Sequence, residues 1–175
     1  MPEPREARNP RDPTKILIYG VGNPGRQDDG AGPDLVRRVQ ERFDPVSPAR
    51  SELVLRFDAD YQLMVENAAD LAEHDIVVFV DATTERLPGP RLSRVRRADT
   101  VAFSTHSVSA ESVAGLAYTL YGATPRVYML HVPGYAWGFT EGLTPAARRN
   151  VEEACRLLVR CLQEPSRFDR RCETR

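Results

Sequence analysis

Five consecutive apolar residues, Ile76-Val77-Val78-Phe79-Val80, close on an aspartate, Asp81. Four of the five are β-branched, and the run does not alternate with polar residues, so a strand built from it has no face to offer water. Such a strand has to be covered on both sides, which is the situation of a parallel strand inside an α/β sheet. Other segments fit the same plan. Lys15–Val21 and Leu53–Phe57 read as strands, the latter ending at Asp58, and Arg126–Val132 reads as another. Between them the apolar spacing is helical: about Pro33–Phe43, Gln62–Glu73, Ala110–Tyr121, and a helix opened by Thr144-Pro145, a capping threonine before a first-turn proline. Arg91–Arg97 offers only Leu92 and Val95 and is predicted as an edge strand. Strands alternating with helices predict an α/β fold, a three-layer α/β/α sandwich with a mostly parallel, mixed central sheet in a single domain.

A chain of 175 residues suits one such domain. We place it at 14–164, with a proline-rich, charged N-terminal tail at 1–13 and a charged C-terminal tail at 165–175. The net charge of −1 carries no nucleic-acid or membrane footprint. No apolar run approaches the ~18 residues of a membrane span, and the first residues lack the apolar core of a signal peptide. The expectation is a cytoplasmic monomer with no nucleic-acid or membrane partner. Arginine outnumbers lysine heavily, but the arginines scatter over predicted surfaces and read as coding bias. Cys155, Cys161 and Cys172 form no Cys-x-x-Cys pair; Cys155 and Cys161 fall in a helical pattern and read as packing residues.

In open α/β sheets, ligands bind outside the carboxyl ends of the strands. That rule selects Asp28 and Asp29 after the first strand, Asp58 after the second, Asp81 after the third, and His106 ahead of the third helix, with His131 as an outside candidate. Gly20-Val-Gly-Asn-Pro-Gly25 matches a dinucleotide-binding glycine pattern on paper. The predicted helix starts well beyond Gly25, however, and two carboxylates fill the gap where a pyrophosphate would have to sit. Asp28 and Asp29 have two readings, a helix cap or a metal or catalytic role. Asp81 could equally begin an Asx turn, and His74, beside a helix end, reads as structural. Ser104 and Ser107 flank His106, yet no Gly-x-Ser-x-Gly elbow or His-Glu-x-x-His is present. What remains is an Asp/Asp/His set, a mixed oxygen–nitrogen environment suited to nickel, zinc or a similar divalent ion.

Taken together, Gly20-Val-Gly-Asn-Pro-Gly-Arg-Gln-Asp-Asp-Gly-Ala-Gly32, Ile76-Val-Val-Phe-Val-Asp-Ala82, Ser104-Thr-His106 and Gly142-Leu-Thr-Pro145 resemble the hydrogenase maturation endopeptidases. The resemblance spans roughly residues 15–160. It implies that Asp29, Asp81 and His106 are both the catalytic and the metal-binding residues, with Asp28 as a supporting or capping residue. It further implies an endopeptidase that removes the C-terminal extension of a nickel–iron hydrogenase large-subunit precursor after nickel insertion. The nickel would be carried by the precursor, and another divalent metal could take the same ligands in isolation. A metal-binding chaperone that does not cut, or a nucleotide-binding module, are the alternatives. Two segments depart from the pattern: Asp58-Ala-Asp-Tyr61 stands where many members are glycine-rich, and Tyr135-Ala-Trp-Gly-Phe139 replaces a less aromatic loop, with consequences for the substrate groove.

Overall fold

The computed structural model describes residues 12–43, 53–98 and 108–172. Among the described residues five strands form one sheet in the order β2-β1-β3-β5-β4, with β1 at Thr14–Val21, β2 at Leu53–Asp60, β3 at Ile76–Thr83, β4 at Arg91–Arg94 and β5 at Arg126–Pro133. All neighbours run parallel except β4, which lies antiparallel to β5 at the edge. The helices are α1 (Ala31–Arg42), α2 (Asn67–Glu73), α3 (Ala110–Tyr121), α4 (Pro145–Gln163) and α5 (Ser166–Cys172).

Strand side chains alternate between two cores. Ile16, Ile18, Ile76, Val78, Val80 and Leu130 pack with Leu35 and Val39 of α1 and with Val151 and Leu158 of α4. Leu17, Val77, Phe79 and Val127 pack on the other face with Leu71 of α2 and with Val113 and Ala117 of α3. Every residue from Ile76 to Val80 is completely buried. At roughly 1.5–3 kcal/mol for each such side chain, that one run contributes on the order of 10 kcal/mol before the entropy of ordering is charged against it. The sheet is thus the middle of three layers. Among the described residues no helix is long and apolar enough to cross a membrane.

The expected elements are present with shifted boundaries. β3 continues past Val80 to Thr83, so Asp81 lies inside a paired strand and not in a turn after it. α2 starts at Asn67 instead of Gln62, because the Asn67 side chain accepts from the Met64 amide at 2.8 Å and holds the preceding turn outside the helix. The C-terminal tail expected from residue 165 is corrected: Ser166–Cys172 form α5. Phe168 there is fully buried and stacks on Tyr128, ring centroids 5.2 Å apart. Asp169, next to it, pairs with Arg94 at 2.7 Å and Arg126 at 2.8 Å. The polar composition of this segment hid a single apolar anchor. Of the expected N-terminal tail, residues 1–11 lie outside the described residues. Cys155 and Cys161 are buried, as packing residues would be.

Candidate active site

The chain leaves β1 through Gly22, whose φ of +133° is open only to glycine. A Cβ there would also lie 1.9 Å from the Asp29 carbonyl oxygen. Pro24–Gly30 then form two 3-10 turns joined across a kink at Arg26 and Gln27. Gln27 has φ 49° and ψ −116°, costly for a side-chain-bearing residue. α1 follows at once from Ala31. Gly32 in its first turn lies so close to the sheet that a Cβ would sit 2.2 Å from the Val21 oxygen and 2.6 Å from the Val80 oxygen. The first turn of α1 is therefore pressed against the carbonyls of β1 and β3.

The two adjacent aspartates diverge completely. Asp28 is fully buried, and its carboxylate accepts from the amides of Tyr135 (2.8 Å), Ala136 (3.1 Å) and Thr144 (2.7 Å) and from the Thr144 hydroxyl (2.9 Å). Three of these bonds fall on Oδ2 and one on Oδ1, and such donors are what lets a carboxylate sit in the interior. Asp29 is half-buried, with one oxygen accepting from the Asn23 amide at 3.0 Å. Neither side chain caps α1; the residue at that position is Gly30, and the Ala31 amide bonds the Asp28 carbonyl. The helix-cap reading of the pair is corrected on this point.

Asp81 reaches the same rim from β3. Burial pushes its carboxyl up to about 6, a bond from the Ala82 amide opposes that, and the negative charge of Asp29 raises it further. The influence of Asp29 is the smallest of the three, and it joins the turn after β1 to β3 only through charge. Two carboxylates that repel each other in a half-buried setting are a natural receptor for a cation. His106, with Ser104 and Ser107, lies outside the described residues. Among the described residues no group of three or more His, Cys, Asp or Glu side chains is assembled for a metal ion.

The remaining candidates sit elsewhere. His131 is the ladder partner of Asp81 on β5, but its Nε2 lies 3.3 Å from Ser93 Oγ on β4, on the side away from β3. Burial and then the nearby Arg91 lower its pKa. Asp58 lies on the opposite edge strand and pairs with Arg56 at 3.0 Å. His74 is structural: its Nδ1 donates to the Asp70 carbonyl at 2.6 Å, satisfying the end of α2.

Sequence reasoning missed two contributors. Gln27 donates its amide to the Thr140 carbonyl at 2.8 Å, and its side-chain oxygen accepts from the Gly138 amide at 3.0 Å. Nothing in the sequence marks a glutamine for a left-handed backbone. Thr144 was legible as the cap of α4, and its hydroxyl does accept from Ala147 at 3.1 Å; its second bond, to Asp28, spans 116 residues and has no local signature.

No protein-family model and no curated protein matches this sequence. Solved structures do match. The nickel–iron hydrogenase maturation protease HycI from Thermococcus kodakarensis superposes with a TM-score of 0.65 at 21% identity, over 86% of this chain and 94% of that one. The hydrogenase maturating endopeptidase HybD from E. coli gives 0.65 and 21% over 87% and 94%. The hydrogenase 2 maturation peptidase from a Thaumarchaeota archaeon gives 0.60 and 21% over 85% and 98%. The chain carries the fold of the hydrogenase maturation proteases, the family that its glycine- and aspartate-rich first block resembles.

Proposed function

We propose that this chain is an endopeptidase that removes the C-terminal extension of a nickel–iron hydrogenase large-subunit precursor once nickel has been inserted. In this reading Asp29, Asp81 and His106 bind the nickel that the precursor carries, so hydrolysis waits for correct metallation. A divalent ion held by two carboxylates and an imidazole can polarise a peptide carbonyl or lower the pKa of a bound water. The observation that supports the reading is that the charge of Asp29 is felt at Asp81, 52 positions away in the sequence, near the strand ends where α/β sheets place ligands. The solved proteins that share the fold are described as hydrogenase maturation proteases, which supports the same substrate class.

The test is cleavage of purified, nickel-loaded precursor. The wild-type chain is expected to shorten it, and to leave metal-free precursor intact. Asp29→Asn, Asp81→Asn and His106→Ala should remain folded and lose processing. Stable binding of the precursor without a shortened product would replace the protease by a non-cutting chaperone. Normal processing by all three variants would remove the site assignment.

A further inference from the structure

The loop from Gly134 to Thr144 is tied to the acid-bearing turn by unusually many bonds for an irregular segment. Asp28 takes four of them, three from backbone amides. The Asp28 amide donates to the Ala136 carbonyl at 3.1 Å, and Gln27 clamps the loop tip through Thr140 and Gly138. A Cβ on Gly138 would lie 3.0 Å from the Gln27 side-chain oxygen, so the fit at the clamp is close. At the tip stands Phe139, 91% exposed. Its described ring contact is with the Arg26 guanidinium, 5.5 Å from the ring centroid. The arrangement is uneconomical as packing. The Gln27 backbone is held in a strained conformation, costing of the order of 1–3 kcal/mol, and the ring it helps to fix stays in water.

A solvent-facing aromatic on a loop whose backbone is already fixed suits a binding anchor, because the ordering entropy of that loop is spent before the partner arrives. The same turn that holds the backbone on either side of Phe139 carries Asp29 two residues after Gln27. We propose that Phe139 is a specificity residue, receiving an apolar side chain of the precursor segment that passes Asp29, with Gln27 and Asp28 as its positioning residues. This inference rests on the protease reading.

The experiment uses the full chain and nickel-loaded precursor, measuring kcat and KM separately, precursor binding, thermal stability and oligomeric state. Phe139→Ala is expected to raise KM and weaken precursor binding about 10- to 30-fold, the loss typical of a single aromatic anchor. Its kcat should stay within about twofold, because loss of binding shared by ground and transition states moves KM alone. Its melting temperature should be unchanged, and Phe139→Leu should recover part of the KM. Gln27→Ala should raise KM as well, and adding it to Phe139→Ala should change little further. An unchanged KM in Phe139→Ala, with wild-type processing intact, would overturn the specificity role and leave the protease standing. A lower kcat at constant KM would overturn it too, as would a wild-type dimer that Phe139→Ala converts to monomer. Failure of the wild-type chain either to bind or to cut the precursor would remove both readings together.

Discussion

The half-buried Asp81 makes a stability prediction that can be separated from catalysis. Its carboxyl titrates near 6 in the folded chain against 3.8 for the free group. At ~1.4 kcal/mol per unit, two units correspond to about 3 kcal/mol; allowing for the part of the side chain that water reaches, we take about 2 kcal/mol. The sign follows from proton binding. Between 3.8 and about 6 the folded state holds the proton that the unfolded state has released, so stability falls as pH rises through that window. Below it both states are protonated and no cost exists; above it the full cost is present. Asp81→Asn keeps an oxygen to accept from the Ala82 amide and abolishes the charge. It should therefore stabilise the chain by about 2 kcal/mol at pH 8 and by little at pH 3.5. For a chain of this size that is a rise in Tm of roughly 4–8 °C at pH 8. Thermal and urea unfolding at both pH values, with chelator present so that no metal neutralises the pair, measure it. Asp29→Asn should give a smaller gain of the same pH dependence, and the double variant less than the sum, since each removes the repulsion felt by the other. A stabilisation of Asp81→Asn equal at both pH values, or absent at pH 8, would refute the claim that the charge on Asp81 is destabilising.

Further expectations concern metal uptake and packing. Because a ligating carboxylate must be deprotonated, the affinity of the isolated chain for Ni²⁺ should drop by about tenfold from pH 7 to pH 5 through Asp81, read by calorimetry; Asp81→Asn should bind weakly with no such step. Gly32→Ala should cost upwards of about 3 kcal/mol, because its Cβ meets two backbone oxygens that cannot move independently. Gly142→Ala, at φ +92° with nothing within 4 Å, should cost only about 1 kcal/mol of backbone strain; chemical denaturation compares the two. Phe168→Ala should destabilise by about 3–5 kcal/mol, whereas a loss below 0.5 kcal/mol would mean that α5 does not dock.

How much of this was legible in the sequence depends on how local the cause is. β3 could be read because burial on both faces leaves its mark on five adjacent residues. The edge strand β4 could be read from little more than Leu92 and Val95, and both are buried. The start of α4 was legible because a threonine and a proline act within one turn. α5 was not, because its reason for existing is Tyr128, reached only through the tertiary fold. At the site, the strand-end rule selected Asp28, Asp29, Asp58, Asp81 and His106 from chain order alone, and only the family resemblance set Asp29 and Asp81 apart with His106. It could not separate Asp58, because whether a strand-end acid faces the centre of the rim or pairs on an edge strand depends on strand order, and β2 lies at the edge.

The Asp28–Asp29 pair shows how two adjacent acids come to have different surroundings, the division that the family resemblance implied. Two neighbouring acids invite the idea of one shared site. In 3-10 geometry, however, successive side chains are about 120° apart around the axis, so neighbours on such a turn must face different surroundings. Asp28 faces the loop after β5 and is held by four donors; Asp29 accepts from the Asn23 amide, and its charge is felt at Asp81. The kink at Gln27 sets the phase of that rotation, and the bonds from Gln27 to Thr140 and Gly138 hold the kink. One strained residue therefore helps to keep Asp28 against its donors in the loop after β5, while Asp29, one position on, has a different neighbour in the Asn23 amide.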